Sequence, residues 1–260
     1  MIVIALAALL GGGAWFLYNR VQEIADLANT LRSDLVSLEE DFPYTAPEDE
    51  VVPEARLEVY LQIRQDSINA LEDKMGWFVE FTQNPDSLEG QSTFQVAQQF
   101  FRLPVNILEV GVVQIRSLRE NEMNPDEYTF ITYQMLEEVW YWRQNLPADD
   151  PLKQTADQYF QPIIQMNENI QQAEQQSPNQ NISAGPFDQE RFFNKIEERA
   201  DDNRPNQELM QAHAGEIATA SSAVFVDAWT LETGLEPDQL NESIPGGEAI
   251  SSEMPASATP

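Results

Sequence analysis

The start of this chain constrains it most: its first eighteen residues carry no charged side chain, and a strongly acidic sequence follows. At about 1.5 Å per residue, a helix of that length reaches roughly 27 Å, close to the ~30 Å hydrocarbon core of a bilayer. We therefore predict a single transmembrane anchor over residues 1–19, whose apolar side chains include Ile2, Leu6, Leu10, Trp15 and Leu17.

The anchor lacks the features of a cleaved signal peptide. No lysine or arginine precedes the apolar run, and no small-residue cleavage site lies between Trp15 and Arg20. We expect an uncleaved, single-pass signal anchor. Apolar residues three or four apart continue through Leu38, which predicts a helical stalk over residues 20–41 and makes that segment a coiled-coil candidate.

The sequence supports two orientations of the anchor in the membrane. Arg20 and Arg32 follow the apolar run, and the positive-inside rule then favours a cytoplasmic carboxyl side. A short amino terminus before one large domain is instead the usual layout of an exported domain. We expect an extracytoplasmic, periplasmic domain, with a cytoplasmic domain as the alternative.

The charge balance excludes several classes of partner. The chain has 44 acidic and 14 basic residues, for a formal net charge of −30. Nucleic-acid binding requires clustered Lys and Arg, and attraction to anionic lipid headgroups has the same requirement. Because this sequence has no such cluster, we expect it to bind neither nucleic acid nor anionic headgroups. The absence of cysteine excludes disulfides and thiolate metal sites. The acidity fits a solvated surface, a basic partner or bound cations.

Prolines and helical periodicity divide the rest of the chain. Because proline disfavours a helical residue before it, Pro43 and Pro47 end the stalk and begin an acidic linker over residues 42–53. A helical domain over 54–234 follows, a bundle of about five helices whose last member spans 207–232. The polar, acidic tail over 235–260 is expected to be disordered. No stretch sustains strand-like alternation, so the predicted fold class is all-α.

The clearest local signal after the anchor is a helix start at Asn124. Asparagine favours the cap position, Pro125 suits the first helical position, and Glu127 occupies the capping-box position. The sequence therefore predicts that Asn124 caps a helix.

Candidate catalytic groups are few. His213 is the only histidine and lies in an alanine-rich helical run, without the strained serine turn of a nucleophilic hydrolase. The adjacent carboxylates Glu137 and Glu138 point about 100° apart on a helix, whereas Glu198 and Asp202 share a face. That face supports an alternative hypothesis, a carboxylate-based divalent-cation binder or hydrolase. A solvated acidic face accounts better for these residues, and we predict no catalytic, cofactor-binding or metal-binding residue.

Paired aromatic residues are the other notable feature. The run Trp140-Tyr141-Trp142 cannot face one narrow stripe of a helix, so part of it lies at helix flanks or on a binding surface. Packing between helices explains most such pairs. We single out Trp140 and Trp142 as a possible partner surface.

Three segments carry a family resemblance: the Phe42-Pro43 linker, the helix start over residues 54–64, and the run over 123–128. Together with the anchor, they resemble uncharacterised bacterial membrane-anchored proteins with a helical domain after a proline-rich linker. The resemblance covers residues 1–145 and implies no activity and no site. The resulting hypothesis is a non-enzymatic envelope scaffold, bound to the bilayer through 1–19, with a protein partner or a second copy bound through the stalk or the aromatic surface.

Overall fold

The computed structural model describes residues 22, 24–83, 93–176, 189–197, 199, 204–218 and 222–233. Within these ranges all regular secondary structure is helical and no β-strand is present, which confirms the predicted all-α class. Among the helices formed by the described residues, none combines the length and the hydropathy that a membrane span requires. The predicted anchor over 1–19 and the predicted tail over 235–260 lie outside the described residues.

Four long helices and several short ones make up the described part of the domain. Helix α1 covers residues 24–41, and the helices after it are α2 (Glu54–Gln83), α3 (Thr93–Glu120), α4 (Pro125–Asn145), α5 (Pro151–Gln176), α6 (Gln189–Glu197), α7 (Gln207–Ala212), α8 (Ala214–Ile217) and α9 (Ala223–Thr233). The single helix predicted over 207–232 is wrong, because the backbone leaves helical dihedral angles at His213 and again at Ala218.

The long helices form two antiparallel pairs. Along α2 and α3, Lys74 Nζ lies 3.1 Å from Glu109 Oε2, and Ser117 donates to Asp66 at the other end of the contact. Helices α4 and α5 are also antiparallel, since Arg143 lies 3.4 Å from Asp157 and the ring of Trp140 lies 5.7 Å from that of Phe160. Helix α9 packs against α2, α4 and α5. Because residues 222–228 are all buried, α9 is the innermost element of the domain.

The predicted cap of α4 is present. Asn124 has extended backbone angles, and its Oδ1 accepts a hydrogen bond from the amide of Asp126 at 2.7 Å. Its Nδ2 also donates to the carbonyl of Phe42 at 2.6 Å. The capping residue therefore joins the start of α4 to the start of the linker.

The linker over 42–53 is held against the domain along its length. The ring of Tyr44 lies 6.2 Å from that of Phe130, and Val52 is buried. Asn206 accepts from the amide of Val52 at 2.8 Å and donates to the carbonyl of Glu50 at 2.9 Å. The linker is therefore a strap across the domain surface.

Helix α1 occupies most of the predicted stalk and packs into the domain. Its stripe Leu31, Leu35 and Leu38 is buried in the same core as the other helices. Leu31 Cδ1 lies 3.5 Å from the position that a Cβ atom would take at Gly111 of α3. The stripe that predicted a free coiled coil is therefore buried within the chain, with α3 against Leu31. The described part of 20–41 is accordingly a core helix and does not project as a stalk.

The neighbours Leu35 and Val36 test this packing. Leu35 is 1% exposed and Val36 is 40% exposed. Leu35→Ala should lower the free energy of unfolding by about 2–4 kcal/mol, because it leaves a cavity in the core that α1 shares with the other helices. Val36→Ala should change it by less than about 0.5 kcal/mol. Urea unfolding followed by circular dichroism measures both, and equal effects would contradict the packing.

Candidate functional site

A buried carboxylate lies in the middle of the apolar helix α9. Asp227 is 0% exposed, and its neighbours in the chain are Val226 and Ala228. An unpaired carboxylate in such surroundings is very costly. Its partner is Arg64 of α2, 1% exposed, whose Nε donates to Oδ1 at 2.9 Å and whose Nη2 donates to Oδ2 at 2.7 Å. This fork-like geometry is the strongest that an arginine and a carboxylate can form.

Two tyrosines complete the group around Asp227. The hydroxyl of Tyr159 on α5 donates to Oδ2 at 2.5 Å, and that of Tyr60 on α2 lies 3.5 Å from Oδ1. The guanidinium of Arg64 also lies 5.8 Å from the centre of the Tyr159 ring. We call these four residues the Asp227 cluster; it joins α9 to α2 and to α5.

The protonation states of Arg64, Tyr60 and Tyr159 are fixed at neutral pH. Burial raises the pKa of Tyr60 and of Tyr159 well above the usual tyrosine value, and the charge of Asp227 adds to that rise. Burial alone would lower the pKa of Arg64, but pairing with Asp227 raises it well above its usual value. Both phenols therefore remain hydrogen-bond donors, and the guanidinium remains charged.

The chemistry open to the Asp227 cluster is limited by its burial. Both carboxylate oxygens already accept hydrogen bonds from charged or hydroxyl donors, and each member is at most 2% exposed. A substrate has no open approach to such a group. The cluster acts as a polar tie between three helices.

A second polar cluster joins α4 to the segment that precedes α7. Arg204 pairs with Glu138 at 3.2 Å, and its guanidinium lies 3.4 Å from the centre of the Tyr141 ring. Burial raises the pKa of Glu138, and the charge of Arg204 opposes that rise. Glu137, next in the chain, pairs instead with Arg199 at 3.1 Å. The two adjacent glutamates therefore bind separate arginines and do not form one site.

The aromatic residues of α4 divide between surface and core. Trp140 is half-buried, with its ring 4.9 Å from Phe193 and 5.7 Å from Phe160, and Arg143 lies 5.5 Å from its centre. We call these four residues the Trp140 cluster. Trp142 is fully buried, so this fold does not offer it to a partner. Its position argues against a surface role and leaves Trp140 as the candidate.

The remaining candidate residues are dispersed. His213 is half-buried and its Nδ1 lies 3.4 Å from Glu216 Oε2. Glu198, Asp202 and the anchor side chains lie outside the described residues. In the part of the chain that the structure describes, no three His, Asp or Glu side chains are grouped as metal ligands would be. A groove of about 470 Å³ lies between α2 and α3. Its lining includes two acidic and two basic residues: Asp73, Glu109, Lys74 and Arg102.

The importance of Asp227 did not emerge from the sequence, although a signal was present. Asp227 is the one charged residue between Glu216 and Glu232, within a run of alanine, valine and aromatic residues. A lone charge in such a run predicts a buried partner. Arg64 could not be picked out in the same way, because it lies 163 residues away among polar neighbours.

Breaking the Arg64–Asp227 pair should be costly. Asp227→Asn and Arg64→Met should each lower the free energy of unfolding by about 3–5 kcal/mol, because each leaves one polar or charged partner unpaired in the core. The double variant should lose less than the sum, since no unpaired charge remains. Arg119→Met, which removes only exposed pairs with Asp34 and Asp41, should cost under about 1 kcal/mol. Strictly additive losses in urea unfolding would refute the tie.

Because of Tyr44 in the strap, the stability of the fold should fall as the pH rises in the alkaline range. It lies beside Arg56 and Glu127, which pair at 2.6 Å, and burial together with Glu127 raises the pKa of Tyr44 to about 12 from 10.0. The hydroxyl therefore ionises less readily in the folded chain, and its stabilisation is complete below pH 10 and lost towards pH 12. Tyr44→Phe should remove the phenolate absorbance that appears near pH 12 and flatten the loss of stability above pH 10. Ionisation of Tyr44 at its ordinary pKa would show that the strap leaves it solvated.

No protein-family model, no curated protein and no solved structure matches this chain. The function is therefore inferred from the residues and geometry of the chain alone.

Proposed function

We propose that this chain is a non-catalytic helical scaffold or protein-interaction domain, held at a membrane by residues 1–19 in the bacterial cell envelope. The Asp227 cluster carries the proposal, because its buried charges bind one another across three helices. Buried and paired in this way, the charges are inaccessible to a substrate and to solvent. They stabilise one arrangement of the helices, and a scaffold requires such a fixed arrangement.

The packing of α1 determines how far the domain can lie from the proposed anchor. Only residues 20–23 separate the anchor from the start of α1, and five chain steps span at most about 18 Å. Because α1 packs against α3 and the strap binds Asn206, no long tether intervenes. The domain would then lie next to the bilayer, and its partner would be met at the membrane surface.

Charge and aromatic packing indicate the kind of partner. The formal net charge of −30 favours a basic protein surface and speeds its approach through long-range attraction. The Trp140 cluster offers a half-buried ring and an arginine at one edge of α4. A second copy of the chain, being equally acidic, would be repelled at low salt. We therefore favour a basic protein over a homo-oligomer.

The side of the membrane is part of the proposal. We place the domain outside the cytoplasm, in the periplasm, and Arg20 and Arg32 argue for the opposite side. A reporter fused after Pro260 distinguishes the two: alkaline phosphatase activity supports the periplasm, and fluorescence of a cytoplasmic reporter overturns that placement while leaving the anchor intact.

Leu10→Arg tests the anchor. An arginine at the centre of a spanning helix costs about 2.5–3.5 kcal/mol on insertion scales. The full-length chain should remain in the membrane fraction after alkaline carbonate washing, and Leu10→Arg should shift it towards the soluble fraction. Leu10→Phe, which keeps the run apolar, should behave as the wild type. Complete extraction of the wild-type chain by carbonate would exclude a spanning anchor.

The interaction surface needs a separate test. Photo-cross-linking of the full-length chain in native membranes should give a defined adduct that Trp140→Ala weakens. Trp77→Ala, a change of the same type at a half-buried tryptophan of α2, should leave the adduct unchanged. Equal loss from both variants would indicate damage to the fold and would count against this surface.

Calorimetry tests the alternative of a cation binder or hydrolase. Titration of the full-length chain with Ca²⁺ and with Mg²⁺ should give no micromolar binding. Micromolar binding that disappears in the variant Glu198→Gln with Asp202→Asn would replace the scaffold by a carboxylate cation site.

A further inference from the structure

Three polar side chains form a row along α4. Gln134, Glu138 and Trp142 follow one another at intervals of four residues and are 3%, 2% and 0% exposed. Residues four apart on a helix are neighbours, with Cβ atoms about 5–6 Å apart. We call these residues the α4 polar row.

Each member of the row has one buried polar atom without a protein partner. The atoms are Nε2 of Gln134, Oε1 of Glu138 and Nε1 of Trp142. The other polar atoms of the first two are bonded: Gln134 Oε1 accepts from Asn206 at 2.6 Å, and Glu138 Oε2 accepts from Arg204 at 3.2 Å. Those bonds fix the side chains, so the unbonded atoms are not free to turn towards other partners.

A buried polar atom without a hydrogen bond is destabilising and uncommon in folded proteins, so three in one row require an explanation. Along the helix the unbonded atoms are a donor, an acceptor and a donor. The two N–H donors exclude a cation as ligand, and the carboxylate excludes an anion. The ligand must be small and must both accept and donate hydrogen bonds.

We propose that the α4 polar row binds two internal water molecules, one on each side of Glu138. The first accepts from Gln134 Nε2 and donates to Glu138 Oε1; the second accepts from Trp142 Nε1 and donates to the same oxygen. Two hydrogen bonds in series span roughly 5–6 Å, the same scale as the ~5–6 Å between the Cβ atoms of residues four apart on a helix. A carboxylate oxygen accepts both bonds through its two lone pairs.

The proposed waters complete the contact between α4 and the segment before α7. Asn206 donates to Gln134 Oε1 and Arg204 donates to Glu138 Oε2. The waters would bind the remaining polar atoms of the row. Glu138 would then be fully hydrogen-bonded as a carboxylate, with Arg204 on one oxygen and water on the other. Buried waters with several protein partners are integral parts of a fold.

The indole N–H of Trp142 allows a direct test. In the full-length chain labelled with ¹⁵N at tryptophan, loss of one signal in Trp142→Phe assigns this group. We expect the Trp142 N–H to exchange slowly with deuterium and to show cross-relaxation with a long-lived water. A protected N–H without that cross-relaxation would overturn the proposal, because it would show a dry site or a direct bond to Glu138.

Two changes at Glu138 test the bridge itself. Glu138→Gln keeps the side-chain length and one of the two acceptor oxygens, so it should weaken the water signal at Trp142 without abolishing it. Glu138→Met has a similar length without the acceptor and should lose it. Retention of the signal in Glu138→Met would mean that Glu138 does not hold the water. If Glu138→Met does not fold, the cross-relaxation between the Trp142 N–H and water in the wild-type chain remains the test of the proposal.

Discussion

The structure depends first on the neutralisation of one buried charge. Asp227 lies in the innermost helix, and α9 can occupy that place only because Arg64 and Tyr159 bind the carboxylate there. The pair therefore joins the last described helix to α2, near the beginning of the domain. A paired buried charge contributes less to net stability than apolar packing would, but removal of one partner is severe. The tie thus specifies how α9 enters the bundle.

A second theme is that the connecting segments are part of the fold. Helix α1 buries its leucine stripe on α3, and the strap is fixed by Asn124 at one end and by Asn206 at the other. Both asparagines bind backbone groups of the strap, so these attachments do not depend on the side chains of the strap. A domain with its amino-terminal segments bound in this way can hold a fixed position beside a membrane, as the proposed function requires.

Much of the local structure could be predicted from the sequence. The cap at Asn124 needed only neighbouring residues, and the helical spacing of Leu31, Leu35 and Leu38 marked the buried side of α1. The partner of that side could not be predicted, because periodicity reports which face is apolar and not which helix covers it. For the same reason the stripe by its spacing alone predicts a free stalk. The aromatic run of α4 likewise does not show which tryptophan is buried. In the structure Trp142 lies in the core and Trp140 at the edge of the core.

The all-α class, the acidic character, the uncharged start and the cap of α4 follow from the amino-acid sequence, since these depend on composition and on residues a few positions apart. The packing of the helices was needed to show that Arg64 neutralises Asp227, that Glu137 and Glu138 bind different arginines, and that the α4 polar row lies inside the domain. Those contacts join residues about 60 to 160 positions apart. Such pairings arise when helices pack and bring distant charges out of water together.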